Sequence, residues 1–277
     1  DASSESFTGG ISVTDPNYNY SGNSLNYFIQ NSQNDKKNSG YKNSIISTGA
    51  GTSFEQYKNI YLSPQLVYSY DNLKVESTAS DALKKQKGTF SDLSLSYGIL
   101  YDMRDRAFAP TDGFLSQFNQ QLPIYADASS IKNSYTFSMY ESFSKDLIGT
   151  FKFFGSAING LSDDVRLSKR INLRSSQLRG FESGKVGPKD GSDYVGGNYA
   201  LTSNFELSLP NLLPESTKTD VGLYLDVGNL WGVDYDKSIS NSSELRSSFG
   251  VNTSWVSPVG PMVFTFSQNL AKATTDV

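Results

Sequence analysis

The chain has 277 residues, a formal net charge of -4 and only 37% hydrophobic residues. It contains no cysteine and no histidine, which excludes disulfides, thiolate metal sites and catalysis by a histidine base, so we expect neither an enzyme nor a cofactor. The mild acidity gives no basic surface for nucleic acid, and the sequence has no apolar run of about 18 residues that could form a transmembrane helix.

Alternation of apolar and polar residues is the dominant pattern along the chain. Aromatic residues reach 13%, with 17 Tyr and 17 Phe, which suits strands that have one apolar and one wet face. About a dozen segments alternate over roughly ten residues, the length that a tilted strand needs to cross a bilayer. In chain order they lie near residues 7–14, 23–33, 41–53, 59–71, 93–101, 113–124, 132–145, 148–159, 199–209, 221–228, 245–256 and 261–269.

Two of these segments define the faces most clearly. In 199–209, Leu201 and Phe205 face away from Glu206, and in 221–228 Leu225 faces away from Asp226. A dry core could not accept such carboxylates unpaired. The polar face therefore indicates a wet lumen, and the apolar face indicates contact with lipid.

The connections form a second pattern, in which short turns alternate with longer polar loops near 34–40, 72–87, 160–198 and 231–244. This alternation is typical of an up-and-down membrane barrel with tight periplasmic turns and long outer loops. A soluble β-sandwich also alternates, so it stays open as an alternative. We interpret Asp71 and Asp81, which have lysine neighbours, as solvated loop surface.

The longest connection, roughly 160–198, contains Leu178-Arg179-Gly180-Phe181 and ends in Gly196-Gly197-Asn198. The apolar Leu178 and Phe181 flank an arginine and a glycine, which suggests a buried tip. A buried arginine needs a carboxylate, and Glu206 and Asp226 face the lumen on the two strands that follow. Taken alone, the Arg-Gly-Phe triplet is better interpreted as a solvated turn.

The motif at 178–181 resembles the Val-Arg-Gly-Phe signature in the sixth extracellular loop of BamA-type outer-membrane assembly factors. Four further stretches are similar to that family in kind and order: residues 12–16, 105–113, 225–231 and 257–261. The resemblance implies an all-β fold, a transmembrane antiparallel up-and-down β-barrel of the bacterial outer membrane. Residues 1–277 would hold about 12 of an expected 16 strands, without the periplasmic POTRA domains and the terminal strands.

The resemblance also implies a function. The protein would fold and insert client β-barrels by pairing their strands at a lateral seam, with Arg179 as a loop latch clamped by Glu206 and Asp226. Gly180 would allow close backbone approach, and Phe181 would fill apolar space. Implied partners are client barrels, accessory lipoproteins bound through the periplasmic domains, and outer-membrane lipid and lipopolysaccharide.

Three alternatives remain at this point. A related two-partner secretion or TamA-like exporter would share the loop motif. A passive porin would use the charged lumen residues as a selectivity lining. A soluble carbohydrate-binding module would use exposed tyrosine and tryptophan.

Overall fold

The structure is a computed structural model that describes residues 6–239, 244–257, 260–274 and 276. Twelve strands form one antiparallel sheet in which each strand pairs with its neighbours along the chain. These strands are β1 (Ser6–Asp15), β2 (Ser24–Lys36), β3 (Tyr41–Tyr57), β4 (Ile60–Val75), β5 (Gly88–Asp102), β6 (Gly113–Ala126), β7 (Ser130–Ser144), β8 (Leu147–Gly160), β11 (Tyr199–Leu209), β12 (Thr219–Trp231), β13 (Arg246–Ser257) and β14 (Gly260–Ala271).

The remaining elements are short and lie in the connections between the strands of the sheet. A short helix, α1 (Asp81–Lys84), lies between β4 and β5. Two very short strands, β9 (Lys189–Asp190) and β10 (Asp193–Tyr194), pair with each other within the long connection between β8 and β11. Among the described residues, no helix is long and apolar enough to span a membrane.

The twelve predicted segments correspond one to one to the twelve strands of the sheet, which confirms the antiparallel up-and-down topology. The predicted turn at 258–259 lies outside the described residues. Several strands extend further at their outer ends than the sequence predicted: β4 continues to Val75 and β5 begins at Gly88. Because β2 reaches Lys36, the β2–β3 connection is only 37–40. Both faces of a strand end can contact water beyond the membrane, so alternation weakens there.

The two faces of the sheet differ as predicted. On β11 and β12, Phe205 and Leu223 are 47% and 49% exposed on the outer face, whereas Asp226 is fully buried on the inner face. Outer aromatic rings also contact their neighbours across strands: the Phe151 and Phe205 centroids are 4.9 Å apart. Aromatic pairs at this distance add to the burial energy, and such an apolar outer surface suits lipid.

The sheet curves but does not close in the described part of the chain, because β1 and β14 pair only with β2 and β13. Above the sheet, the connections at the end that carries the 161–198 loop pack together over a core. Its buried members are Tyr41, Leu73, Ala79, Leu83, Leu167, Val195, Val233 and Ile239. The long loop is therefore a folded cap, and its path can bring one segment back to the inner wall.

Candidate functional site: the loop tip on the inner wall

The tip of the 161–198 loop is anchored by apolar packing. Leu178 and Phe181 are only 1% and 4% exposed, and they share a core with Ile158 of β8, Ala200 of β11 and Leu230 of β12. These three strand residues occupy inward positions of the alternation. The two apolar residues of the motif thus hold the arginine and glycine between them against the inner wall.

Arg179 makes four hydrogen bonds to two carboxylates. Its Nε and Nη2 donate to Oδ2 and Oδ1 of Asp226 at 2.8 and 2.7 Å, and its backbone N–H donates to the same Oδ2 at 2.9 Å. Its Nη1 donates to Oε2 of Glu206 at 2.8 Å. The planar fork of a guanidinium can bind one carboxylate with two donors and still reach a second, which a lysine ammonium cannot copy.

The ring of Tyr224 packs against one face of the same guanidinium, and the central carbon of Arg179 lies 3.7 Å from the ring centroid. This is a cation–π contact. The ring is in place because Tyr224 pairs with Glu206 in the β11–β12 register, and its hydroxyl bonds to Ser267 of β14. The alternation put Tyr224 inward, but sequence analysis did not assign it to the site.

The two carboxylates differ in their surroundings. The Asp226 side chain is completely buried, whereas that of Glu206 is 22% exposed. Glu206 also accepts a hydrogen bond from Nδ2 of Asn252 on β13, at 2.9 Å. One strand away from Asp226, Asn204 donates to the carbonyl of Gln177 in the loop at 3.0 Å. Strands β11, β12 and β13 therefore all hold the loop tip.

Gly180 is required by both conformation and space. Its φ of +85° lies in the region that favours glycine. A Cβ added there would be 2.6 Å from Oδ1 of Asn269 and 3.0 Å from Cβ of Ser267, both on β14, and 3.2 Å from Cβ of Ser248 on β13. Ser248 also donates to the Arg179 carbonyl. The backbone of the tip consequently lies directly on β13 and β14.

The end of the loop, Gly196-Gly197-Asn198, lies apart from the arginine and ties the loop to β12. Gly197 forms an isolated bridge with Ile171, and a Cβ on Gly197 would be 2.5 Å from the Trp231 carbonyl oxygen. Asn198 immediately precedes β11, and its backbone N–H donates to the carbonyl oxygen of Gly232 at 2.8 Å. These residues set where β11 begins.

Three further buried arginine pairs were not predicted: Arg166 with Asp92, Arg170 with Asp234, and Arg246 with Asp276. Asp92 and Arg246 carried a signal, because they have the inward parity of β5 and β13. For Asp234, burial raises the pKa of the carboxyl, but hydrogen bonding from the Val165 N–H and the charge of Arg170 outweigh it and lower the pKa below its ordinary value. The loop cap is thus fastened by ion pairs as well as by its apolar core.

The interpretation of Asp71 as solvated loop surface is wrong. Asp71 is 4% exposed and accepts hydrogen bonds from Nδ2 of Asn43 at 3.1 Å and from the Ser168 hydroxyl at 2.7 Å. Because β4 extends past residue 71, the carboxylate is still on the inner wall. The Asp81 side chain is 95% exposed, as the sequence suggested.

The arginine site adjoins a polar cavity of about 650 Å³ on the inner wall, lined in part by Lys152, Arg179, Glu206 and Asn252. Within the described residues, no group of three or more Asp or Glu side chains is arranged to hold a metal ion. The arrangement is chemically a clamp: fixed donors and acceptors that hold one segment in place.

Comparison with known proteins gives three informative likenesses. The outer membrane protein assembly factor BamA of Neorickettsia risticii (strain Illinois) is 26% identical over 251 residues, which covers 88% of this chain and 34% of that protein. The crystal structure of BamA from Haemophilus ducreyi lacking POTRA domains 1-3 matches with a TM-score of 0.87 at 20% identity, over 98% of this chain and 60% of that one. CdiB from Escherichia coli matches with a TM-score of 0.59 at 14% identity, over 98% of this chain and 50% of that one.

These likenesses confirm the predicted transmembrane β-barrel fold and its location in the bacterial outer membrane. The chain spans about a third of the length of the Neorickettsia relative. A family model described as the Omp85 superfamily domain matches residues 1–277. The chain therefore belongs to the Omp85 superfamily.

Proposed function

We propose that this chain is the barrel part of an outer-membrane protein assembly factor, in which Arg179 latches the 161–198 loop inside the lumen. The observation that carries the proposal is the clamp itself, four hydrogen bonds from one residue to Glu206 and Asp226. The name of the Neorickettsia relative, an outer membrane protein assembly factor, supports the activity. The proposed domain is 1–277, with the POTRA domains contributed by the whole protein.

The clamp has a mechanical consequence for the barrel wall. It ties the loop tip to β11 and β12 through charged hydrogen bonds, and the Gly180 contacts extend the attachment to β13 and β14. Charge-assisted bonds of this geometry are about twice as strong as neutral ones. A wall stiffened on this side can hold its shape while a client strand adds to an open sheet edge elsewhere, by main-chain pairing.

The proposed partners follow from the same mechanism. Client β-barrel proteins would supply strands to the seam, and no described residue of this chain is assigned to that seam. Accessory lipoproteins would bind the periplasmic domains of the whole protein. Outer-membrane lipid and lipopolysaccharide would contact the apolar outer face, where Phe205 and Leu223 are exposed.

Assembly is better supported than export or passive diffusion. The similarity to CdiB is structural at 14% identity, so it reflects the shared fold and does not favour an exporter. For a porin, the loop tip is an obstacle, because Leu178 and Phe181 pack in a core on the inner wall instead of leaving it open.

The test is reconstitution of the whole protein into phosphatidylcholine vesicles, followed by addition of a urea-unfolded client barrel. An assembly factor accelerates the appearance of folded client, measured as heat-modifiable, protease-protected protein, relative to empty vesicles. Conductance is recorded in parallel on planar bilayers. Client folding no faster than in empty vesicles, together with large and steady channels, would establish a porin and refute the proposal.

A further inference from the structure

A groove of about 420 Å³ lies on the outer face of the sheet, across the neighbouring strands β7, β8, β11 and β12. Its outward lining residues are all apolar or glycine apart from Glu141, and they include Phe143 and Leu223, which are 63% and 49% exposed. Three residues of inward parity also line it: Thr150, Glu206 and Tyr224. The volume is typical of small-molecule sites, which span about 300–1,000 Å³. We call this feature the outer groove.

Gly149 lowers the floor of the outer groove, because it leaves a gap in a row of outward side chains. In the strand register, Glu141 of β7 pairs with Gly149 of β8, and Gly149 pairs with Leu207 of β11. The edge of the Phe143 ring lies over the glycine, since a Cβ on Gly149 would be 2.7 Å from Cε2 of that ring. The gap between Glu141 and Leu207 is therefore walled by Phe143 on one side.

The apolar lining continues from Glu141 away from the short turn that joins β7 to β8. The next outward row consists of Met139, Phe151 and Phe205, which pair with one another across β7, β8 and β11. Short turns lie at the periplasmic surface of a membrane barrel, so this row is nearer the middle of the membrane than Glu141. An acyl chain runs in the same direction from its headgroup.

Glu141 is a carboxylate on this lipid-facing surface and has no partner. It makes no side-chain hydrogen bond or ion pair within the described part of the chain, not even with Lys145 of the following turn. A charge that faces hydrocarbon is costly unless it is paired. Strand β7 ends three residues further, at Ser144, which is about 10 Å along a strand. The carboxylate is consequently close to the level at which lipid headgroups begin.

We propose that the outer groove binds an acyl chain of a phospholipid whose headgroup carries a primary ammonium, as in phosphatidylethanolamine, with Glu141 accepting hydrogen bonds from that ammonium. An anionic acceptor beside an apolar groove is complementary to a cationic donor beside an apolar chain. The bond is charge-assisted and satisfies the carboxylate. The inference rests on the proposed contact between lipid and the outer face, and it does not depend on assembly activity.

The experiment uses the whole protein in uncharged maltoside micelles, titrated with dioleoyl phosphatidylethanolamine, and counts bound lipids by native mass spectrometry. Dioleoyl phosphatidylcholine and phosphatidylglycerol have the same acyl chains, but the first has a fully methylated ammonium that cannot donate a hydrogen bond and the second has no cation. Glycerophosphoethanolamine supplies the headgroup without acyl chains. No client protein is present, so a failure of the proposed assembly function would leave this readout unchanged.

Two variants locate the site. Glu141→Gln removes the charge, keeps the shape and breaks no described ion pair, so the variant is expected to fold. The matched control is Asp220→Asn on β12, an exposed carboxylate near the same end of the barrel. Asp220 has the inward parity of Tyr224, so its carboxylate belongs to the inner face of the wall.

The expected result is saturable binding of phosphatidylethanolamine that is roughly tenfold tighter than binding of the other two lipids, the value of one hydrogen bond to a charged group. Glu141→Gln should lose this preference, Asp220→Asn should keep it, and the headgroup alone should bind far more weakly than the lipid. Equal binding of the three lipids by the wild type would overturn the proposal, and so would a preference that survives in Glu141→Gln. Binding of the headgroup as tight as that of the lipid would overturn the role of the groove.

Discussion

Replacing Arg179 by alanine is the sharpest perturbation of the clamp. The substitution removes three side-chain hydrogen bonds, two to Asp226 and one to Glu206. It also leaves Asp226 buried with no cation, because its side chain has no exposed surface. Breaking a buried ion pair by removing one partner typically costs about 3–5 kcal/mol.

Two features of the structure place the expected loss at the lower end of that range, about 3 kcal/mol of the free energy of unfolding. Glu206 is 22% exposed, so water can solvate it, and it keeps the hydrogen bond from Asn252. Asp226 keeps the backbone N–H of residue 179 if the loop stays seated. Arg179→Lys should lose roughly half as much, since an ammonium is a point charge that cannot copy the fork.

The measurement is a reversible urea titration of the folded protein in lipid vesicles, followed by the fluorescence of its two tryptophans. Arg174→Ala is the matched control, an exposed arginine on the same loop, and should change stability by less than about 0.5 kcal/mol. The double variant Arg179→Ala with Asp226→Asn should recover part of the loss, because it removes the buried charge. An Arg179→Ala variant as stable as the Arg174→Ala control, with no coupling to Asp226, would refute this reasoning.

Three further outcomes are expected. Gly180→Ala should lower the free energy of unfolding by about 2 kcal/mol, because residue 180 has a φ of +85° and no space for a Cβ. The same urea titration checks this, and a variant as stable as wild type would contradict it. Arg246→Ala should lower the free energy of unfolding by about 3 kcal/mol or more, because it leaves Asp276 buried without its cation. The double variant Arg246→Ala with Asp276→Asn should lose less stability, and equal losses in the two variants would argue against the ion pair. Desolvation raises the pKa of Asp105, but hydrogen bonds from Thr111 outweigh it and hold the pKa at about 2. An unfolded aspartate titrates near 3.9, so the stabilisation of this turn is complete above about pH 4 and is lost as pH falls through about 2. In NMR, the chemical shift of the Thr111 amide should titrate with a midpoint near pH 2 in the wild type and should not titrate in Asp105→Asn. A wild-type midpoint near pH 4 would contradict the assignment.

The strands were predictable because a membrane barrel separates its faces strictly. Alternation alone put Glu206 and Asp226 on one side and Phe205 and Leu223 on the other, and the structure has them there. The contrast between faces disappears beyond the lipid, which is why the ends of β4 and β5 and the buried Asp71 were misjudged. At those positions a polar residue on the inner wall looks like a polar residue in a loop.

The contacts of the loop were predictable only in part. The apolar residues around Arg179 suggested a buried tip, and the inward carboxylates supplied candidate partners. Tyr224 was missed because an inward tyrosine has many possible roles. The pairs of Arg166 with Asp92 and Arg170 with Asp234 were missed because they join residues 74 and 64 positions apart, and residues in irregular loops have no periodicity to indicate which way they face.

The most direct test of the central claim is the rate at which the whole protein assembles a client barrel in vesicles when the clamp is broken. Arg179→Ala is compared with wild type and with the Arg174→Ala control, after gels confirm equal amounts of inserted protein. The account predicts a client assembly rate at least several-fold lower in Arg179→Ala and unchanged in Arg174→Ala. A wild-type rate in Arg179→Ala would contradict it, since the clamp would then be a feature of the fold with no part in assembly.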